Sequence, residues 1–286
     1  MSRRRRSGRR SGCGRRSSAA VATPSSSARA PGINALKTFD PPLSALEGRA
    51  ITSITRRGKQ FVIEVAGGLA LLVHLMSAGR LQLYDKPAGP RDRTSRLLVR
   101  IAGDPARELR LREFGTRQAA WVKLLAVEAV DEEELIATLG PEAWPQPPDD
   151  LRALLDAPRP LHSMLRDQRV IAGIGRSWVD EILWTARLSP FKRGDDLSDE
   201  EALALREAIA TVLDGAIEHY ERVVELPIPD KLPLPLQVHR KGGEPCPRCG
   251  TTIEQVHYED YVMCYCPAEQ TQGKVLKDRR LSRLLK

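Results

Sequence analysis

The rhythm of hydrophobic and polar positions changes twice along this chain. Between residues 51 and 125 the apolar side chains fall in short runs, rich in β-branched residues and often alternating with polar ones. Such runs occupy 51–58, 61–65, 69–75, 80–84, 97–101, 109–112 and 118–125, with Ala66-Gly67-Gly68 and Ala102-Gly103-Asp104-Pro105 as turns between them. Short strands at near-regular spacing predict an antiparallel β-sandwich or barrel. After Val130 the period lengthens to that of a helix. Short helices are expected over 131–139 and 149–155, then a pair over 161–168 and 177–186 joined by a glycine-bearing stretch at 169–176. Ser198-Asp-Glu-Glu201 has the form of a capping box and opens a long amphipathic helix that runs to about Tyr220. Pro227, Pro229, Pro233 and Pro235 then mark an extended linker. The fold class is α+β and multidomain: a β-sandwich over 33–130, a helical domain over 131–235 and a small C-terminal hairpin over 236–286.

Charge changes this picture only locally. The 286 residues carry a formal net charge of +8, but nine arginines and no acidic residue lie in 1–32. The other 254 residues hold 36 basic and 37 acidic side chains, so any argument for a polyanionic partner rests on local patches. Residues 1–32 consist almost wholly of Arg, Ser, Ala and Gly and cannot bury enough apolar surface to offset ordering entropy, so disorder is expected there. Two origins for this segment stay open: a genuine basic arm, or a mis-set start or frameshift in a GC-rich gene. No run of eighteen apolar residues occurs, and no apolar stretch follows the N-terminal arginines, so neither a membrane span nor a secretory signal is expected.

Four of the five cysteines crowd the C-terminal end, which fits a metal and a reducing compartment, the cytoplasm, rather than disulfides. Cys246-Pro-Arg-Cys249 is followed by sixteen residues and then Cys266-Pro-Ala-Glu269. Two thiols two residues apart can close on one ion, and the downstream arm supplies the rest of a tetrahedral zinc site. A repeated pair would put a fourth thiol at 269, where the chain has Glu. One zinc per chain is expected on Cys246, Cys249 and Cys266, with Cys264 or Glu269 as fourth ligand. A reduced buried cysteine and a redox pair are the bland alternatives, and no βαβ pattern supports the second. Lys274, Lys277, Arg279, Arg280, Arg283 and Lys286 form a basic tail, opposed only by Asp278, of the kind that a phosphate backbone attracts.

The stretch Arg166-Asp-Gln-Arg-Val-Ile-Ala-Gly173-Ile-Gly175-Arg176-Ser-Trp-Val-Asp180-Glu181 resembles the helix-two-turn-helix of the formamidopyrimidine-DNA glycosylase / endonuclease VIII family. Leu46-Glu-Gly-Arg, Arg56-Arg-Gly-Lys59, His74-Leu-Met-Ser-Ala-Gly-Arg80, Phe114-Gly and the cysteine knuckle follow in that family's order, so the resemblance spans roughly 34–286. It implies a bacterial-type, zinc-finger-containing repair protein that works as a monomer on damaged double-stranded DNA, cytoplasmic and nucleoid-associated. Physical chemistry supports the turn independently: Gly173 and Gly175 permit close approach to a phosphate and positive φ, and the next helix offers free N–H groups.

The resemblance also implies roles. Lys59 becomes a phosphate contact near the lesion and a possible acid in strand cleavage, with Arg57, Arg112, Gly173, Gly175 and Arg176 as further DNA contacts. Arg176 replaces the family's usual Asn. Met76, or its neighbour Ser77, lies where the family fills the space left by a flipped base, and Phe114 matches its wedge phenylalanine. Glu113 stands where the family has an Arg, a charge reversal expected to weaken contact with the orphan base. His162 takes the place of a phosphate-gripping Lys, and Tyr261 that of a zinc-loop Arg. His74, in a strand of leucines, reads as a hydrogen-bonded core histidine.

The family acts through an N-terminal proline amine, with an adjacent Glu handling protons. This chain opens Met-Ser-Arg-Arg, and its first Glu is Glu47. Internal Pro24 and Pro31 have amide nitrogens and are not nucleophiles. Residues 33–130 therefore read as a truncated catalytic domain, and three readings stay open. The chain is a DNA glycosylase/AP lyase whose opening codons were misread, a catalytically inactive damage binder, or a zinc-ribbon nucleic-acid module. The last does not explain the β-rich half.

Overall fold

The computed structural model describes residues 25–276, apart from 33, 90, 115–117, 227 and 259–260. Its strands are β1 (Ser25–Arg29), β2 (Ile51–Arg57), β3 (Gln60–Val65), β4 (Leu69–His74), β5 (Gly79–Tyr84), β6 (Ser95–Ile101), β7 (Arg107–Glu113) and β8 (Trp121–Ala126). They form two four-stranded antiparallel sheets, ordered β1-β6-β7-β5 and β2-β3-β4-β8. Leu97, Val99 and Leu111 of the first sheet meet Ile63, Leu71, Val73, Val122 and Leu124 of the second in one core, so the sheets stack as a sandwich. The alternation expected of a half-buried sheet fails in β4, whose four central residues are all buried. Its outer face is covered as well: Val62, Ala70 and Leu72 pack against Val130 and Ile136.

One expectation is corrected here. Residues 1–24 lie outside the described residues, but 25–29 of the supposedly disordered segment form β1, paired with β6 from Ser25↔Ile101 to Arg29↔Leu98. A strand added to a sheet edge is held by backbone hydrogen bonds, which composition does not reveal, and Ala28 of β1 reaches the core.

The helical domain holds α1 (Glu134–Ala137), α2 (Leu151–Leu154), α3 (Leu161–Arg166), α4 (Arg176–Thr185) and α5 (Asp199–Val223). The capping box forms as expected: Glu201 N donates to Ser198 Oγ at 3.2 Å, and Ser198 N to Glu201 Oε2 at 2.9 Å. Leu161, Leu165, Ile171, Ile174, Ile182 and Leu205 are fully buried where α3, α4 and α5 meet. The C-terminal module is the hairpin β9 (Glu254–His257) and β10 (Val262–Tyr265), closed by α6 (Pro267–Gln270). Among the described residues no helix is long and apolar enough to cross a membrane.

Candidate functional site

The β2–β3 turn carries Arg56 to Lys59 into the junction with the helical domain. Glu142 clamps it there, accepting from Gly58 N at 2.6 Å and from Arg56 Nη1 at 2.6 Å. Arg56 also donates to Trp144 O at 3.0 Å. Consecutive strand residues face opposite ways, so Arg57 turns to Asp131 at 3.6 Å while Arg56 enters the junction. The α3–α4 turn closes the other side. Gly173 has φ +97°, and a Cβ there would come within 3.1 Å of Arg56 Nη1, so glycine is needed both for the backbone and for the approach. Gly175 needs no such freedom: it is the extended N-cap of α4, with φ −85° and no side-chain cap. The Gln168 amide ties the turn together, accepting from Gly173 N at 3.0 Å and donating to Ile174 O at 3.1 Å.

Lys59 is exposed at the mouth of this junction yet crowded by protein. Burial, then the charges of Arg166 and Arg176, hold its pKa below the ordinary lysine value. Three cations thus gather beside the N-terminus of α4, whose N-cap is a glycine with no side chain to cap it, an arrangement suited to a polyanion. Lys59 borders two cavities. The larger, about 620 Å³, has Phe61, Leu75, Trp144, Trp178, Ile217 and Tyr220 among its walls. The smaller, about 220 Å³, lies towards His74 and Gln168.

At the β4–β5 turn, Met76 is exposed and held at φ +51°, a strained conformation for a non-glycine residue. His74 sustains it: Nδ1 accepts from Met76 N at 2.8 Å. Burial first, and then Lys59, lower the His74 pKa, which keeps the ring in the neutral form that can accept this bond. His74 is hydrogen-bonded as expected, but it braces a loop rather than a core.

Arg112 and Phe114 also come together, with the guanidinium carbon 4.6 Å from the ring centroid. The charge reversal expected at Glu113 does not reach this surface. Glu113 points inward, is 1% exposed, accepts from Ala120 N at 2.9 Å and lies 3.7 Å from Arg96. Across from it, the proline-rich linker is strapped to the sheet. Asp230 Oδ1 accepts from Arg112 at 3.0 Å and from Gln82 Nε2 at 3.1 Å, and Gln82 also reaches Ile228 O at 2.6 Å.

In the C-terminal module the thiols of Cys246, Cys249 and Cys266 lie within 4.8 Å of one another, Cys249 and Cys266 at 3.4 Å. Sulfur–metal bonds of about 2.3 Å place tetrahedral thiolates a little under 4 Å apart, so the trio fits a soft divalent ion such as zinc. Hydrogen bonding to Thr251 brings the Cys249 thiol down to about 7, whereas burial pushes Cys266 up to about 12. Neither residue expected as fourth ligand joins them. Cys264 is turned away, accepting from Arg240 N at 3.2 Å, and burial with the nearby Asp180 charge raises its pKa. Glu269 is longer than the cysteine it replaces and is drawn to Arg187 and Arg248, each 3.2 Å from Oε2. Of the basic tail, residues 277–286 lie outside the described residues.

Sequence reasoning missed the residues that join this module to the helices. Asp180 and Glu181, both on α4 and both buried, act as a pair. Asp180 accepts from His162 at 3.1 Å, His239 at 2.7 Å and Cys264 N at 3.0 Å. Glu181 accepts from the backbone N–H of Gln237, Val238 and His239 at 2.8–2.9 Å. His162 is therefore spent on Asp180 and does not replace a phosphate-binding lysine at the surface. Tyr261 stacks on Tyr258 at 4.3 Å, and the Arg166 and Arg176 guanidinium carbons lie 3.7 and 5.6 Å from its ring centroid. It carries two arginines in place of the one it was expected to replace. Two carboxylates amid apolar neighbours in Trp178-Val-Asp-Glu-Ile-Leu-Trp184 were the available signal.

A β-sandwich, a glycine-turned helix pair and a three-thiol hairpin, with cations at the junction, define a class of nucleic-acid-handling protein, and comparison makes the class specific. The formamidopyrimidine-DNA glycosylase N-terminal domain matches residues 3–118, and the H2TH domain of the same glycosylase matches 140–226. A Thermus thermophilus formamidopyrimidine-DNA glycosylase is 34% identical over 243 residues, 79% of this chain and 85% of that protein. An uncharacterized formamidopyrimidine-DNA glycosylase-like protein of Mycobacterium tuberculosis is 42% identical over 149 residues, 52% of this chain and 94% of its own. The structure of a Lactococcus lactis Fpg with abasic-site DNA superposes with a TM-score of 0.77 at 25% identity, covering 88% of this chain and 93% of the other. A MutM complex with carbocyclic 8-oxo-G DNA gives 0.76 at 27% identity, with the same coverage. The chain belongs to the formamidopyrimidine-DNA glycosylase family.

Proposed function

We propose that this protein binds damaged double-stranded DNA as a monomer and takes part in excising oxidised bases. The observation that carries this reading is the convergence of Lys59, Arg166 and Arg176, from three separate segments, at the glycine-led N-terminus of α4. A backbone phosphate is the ligand such a site suits. Arg112, Phe114 and Met76 supply side chains to fill the duplex where a base is turned out. Cys246, Cys249 and Cys266 would hold one zinc ion, which supplies cross-linking of the hairpin and no chemistry at the sugar.

Affinity for duplex DNA is expected to fall steeply with salt. Arg176→Ala should weaken lesion-bearing and undamaged duplexes alike, by about tenfold, because a phosphate contact positions the duplex without reading its bases. Fluorescence anisotropy with both duplexes tests this, and a change in lesion preference with undamaged binding intact would show that Arg176 reads the lesion. Asp230→Asn frees Arg112 from its acidic partner and should tighten binding by about threefold at low salt, the gain vanishing at high salt. Release of an oxidised purine from a duplex oligonucleotide, read as alkali-labile breaks, tests the excision step.

A further inference from the structure

We propose that the metal site of this protein is completed from solution: Cys246, Cys249 and Cys266 supply three thiolates, and the fourth position takes the thiolate of a small organic thiol. The proposal rests on the reading that these three thiols hold one zinc ion, and it concerns which of the chain's own residues reach that ion.

The chain offers two residues for a fourth bond, and the fold engages both elsewhere. The Cys264 sulfur is turned to the backbone, where Arg240 N donates to it at 3.2 Å and the N–H groups of Lys241 and Gly242 also face it. Its own N–H donates to Asp180 at 3.0 Å, which fixes the residue on β10 from the opposite side. Glu269 meets the trio with its backbone, whose N–H bonds to the Cys266 sulfur, and commits its carboxylate to two arginines. Oε2 lies 3.2 Å from both Arg187 and Arg248. Arg248 is itself anchored, donating to Trp184 O and lying 3.8 Å over the Trp184 ring. Drawing the carboxylate to the metal would break two ion pairs and set a hard oxygen among soft sulfurs. Among the described residues no imidazole or carboxylate joins the three sulfurs within the 4.8 Å that they span.

Access and charge set the class of ligand. Cys246 and Cys266 are buried but Cys249 is exposed, so the trio meets solvent at that corner. A tetrahedral site to which the protein gives only three ligands keeps one position for an exogenous donor. Three thiolates make a soft set, for which a fourth sulfur is better matched than an oxygen. Two guanidiniums against one carboxylate leave the neighbourhood net positive, which offsets the negative charge that a fourth thiolate adds. The incoming thiol gives its proton to solvent as its sulfur forms the fourth metal–sulfur bond, and nothing is oxidised or reduced.

The full-length protein is reconstituted with cobalt(II), whose visible bands report its donor set, in buffer whose only reductant is a phosphine. 2-Mercaptoethanol is then titrated in. Wild-type sulfur-to-cobalt charge transfer should rise by about a third, as three cobalt–sulfur bonds become four. Glu269→Cys should start at the higher level and not respond to thiol. Glu269→Gln and Cys264→Ala should match the wild type with and without thiol, since neither side chain binds the ion. Because the titration is read on the wild-type chain, the result does not depend on how well a variant folds. Wild-type bands that ignore added thiol, or fade with it, overturn the proposal. A band shift in Glu269→Gln or lost charge-transfer intensity in Cys264→Ala does the same, by showing that the chain supplies the fourth ligand. A protein that takes up no cobalt removes the three-thiol reading itself.

Discussion

Chelating the metal expected on Cys246, Cys249 and Cys266 should unfold the C-terminal hairpin and cost the protein most of its affinity for DNA. Asp180 and Glu181 dock the module on α4, and Val256, Met263 and Tyr265 form one small apolar cluster, but the fold within the hairpin itself is slight. Its strands are four residues each, and the core it shares with α4 consists of Trp184, Val238, Cys246, Ile253, Cys264 and Cys266. Two of those six are the thiol cluster itself. Structural zinc contributes on the order of 10 kcal/mol to small modules, far more than so few side chains can bury. Tyr261, which carries Arg166 and Arg176, belongs to the same module, so its loss reaches the phosphate site directly. About one zinc per chain by elemental analysis and a loss of duplex affinity of roughly a hundredfold after chelation are the expected results. A protein that contains no zinc and binds DNA equally well with chelator present would refute this account.

Asp180→Ala should destabilise the protein by about 3–5 kcal/mol, the usual cost of removing one partner from a buried charged network. Its carboxylate is 1% exposed and takes bonds from His162, His239 and Cys264 N, all of which would be left unsatisfied. Burial alone would raise its pKa. The hydrogen bonds from the two histidines outweigh that, and the folded carboxyl lies below the ordinary aspartate value. A depressed folded pKa stabilises the native state above the unfolded value of about 4, and the contribution is lost as pH falls through the folded value. Urea unfolding at neutral pH should therefore separate the variant from the wild type, and the gap should narrow on acidification below about pH 4. A loss under 1 kcal/mol would mean that the histidines find other partners.

Lys59 and Arg176 were legible in the sequence because each sits in a local motif, a strand turn and a glycine-bearing helix turn, where spacing dictates placement. The cysteine trio was legible for the same reason. Arg56 and Arg57 diverge because one step along a strand reverses the facing side, and only the docking of Arg56 on Glu142 decides which of the two enters the cleft. Glu113 was misread likewise: its charge is real, but strand alternation buries it against Arg96 and leaves Arg112 beside Phe114.

By itself the sequence determined the order of modules, the strands and helices whose apolar period is strong, the capping box of α5 and the trio of clustered thiols. These follow from local periodicity and short spacings, which act over a few residues. Tertiary structure alone decided that 25–29 complete a sheet, that Asp180 and Glu181 bind the hairpin to α4, that Glu269 answers Arg187 and Arg248, and that Lys59 is set beside Arg166 and Arg176. Each of these is a contact between residues far apart in the chain, or a backbone pairing blind to side chains. Its sign depends on which partner arrives first within hydrogen-bond reach, and only packing sets that distance.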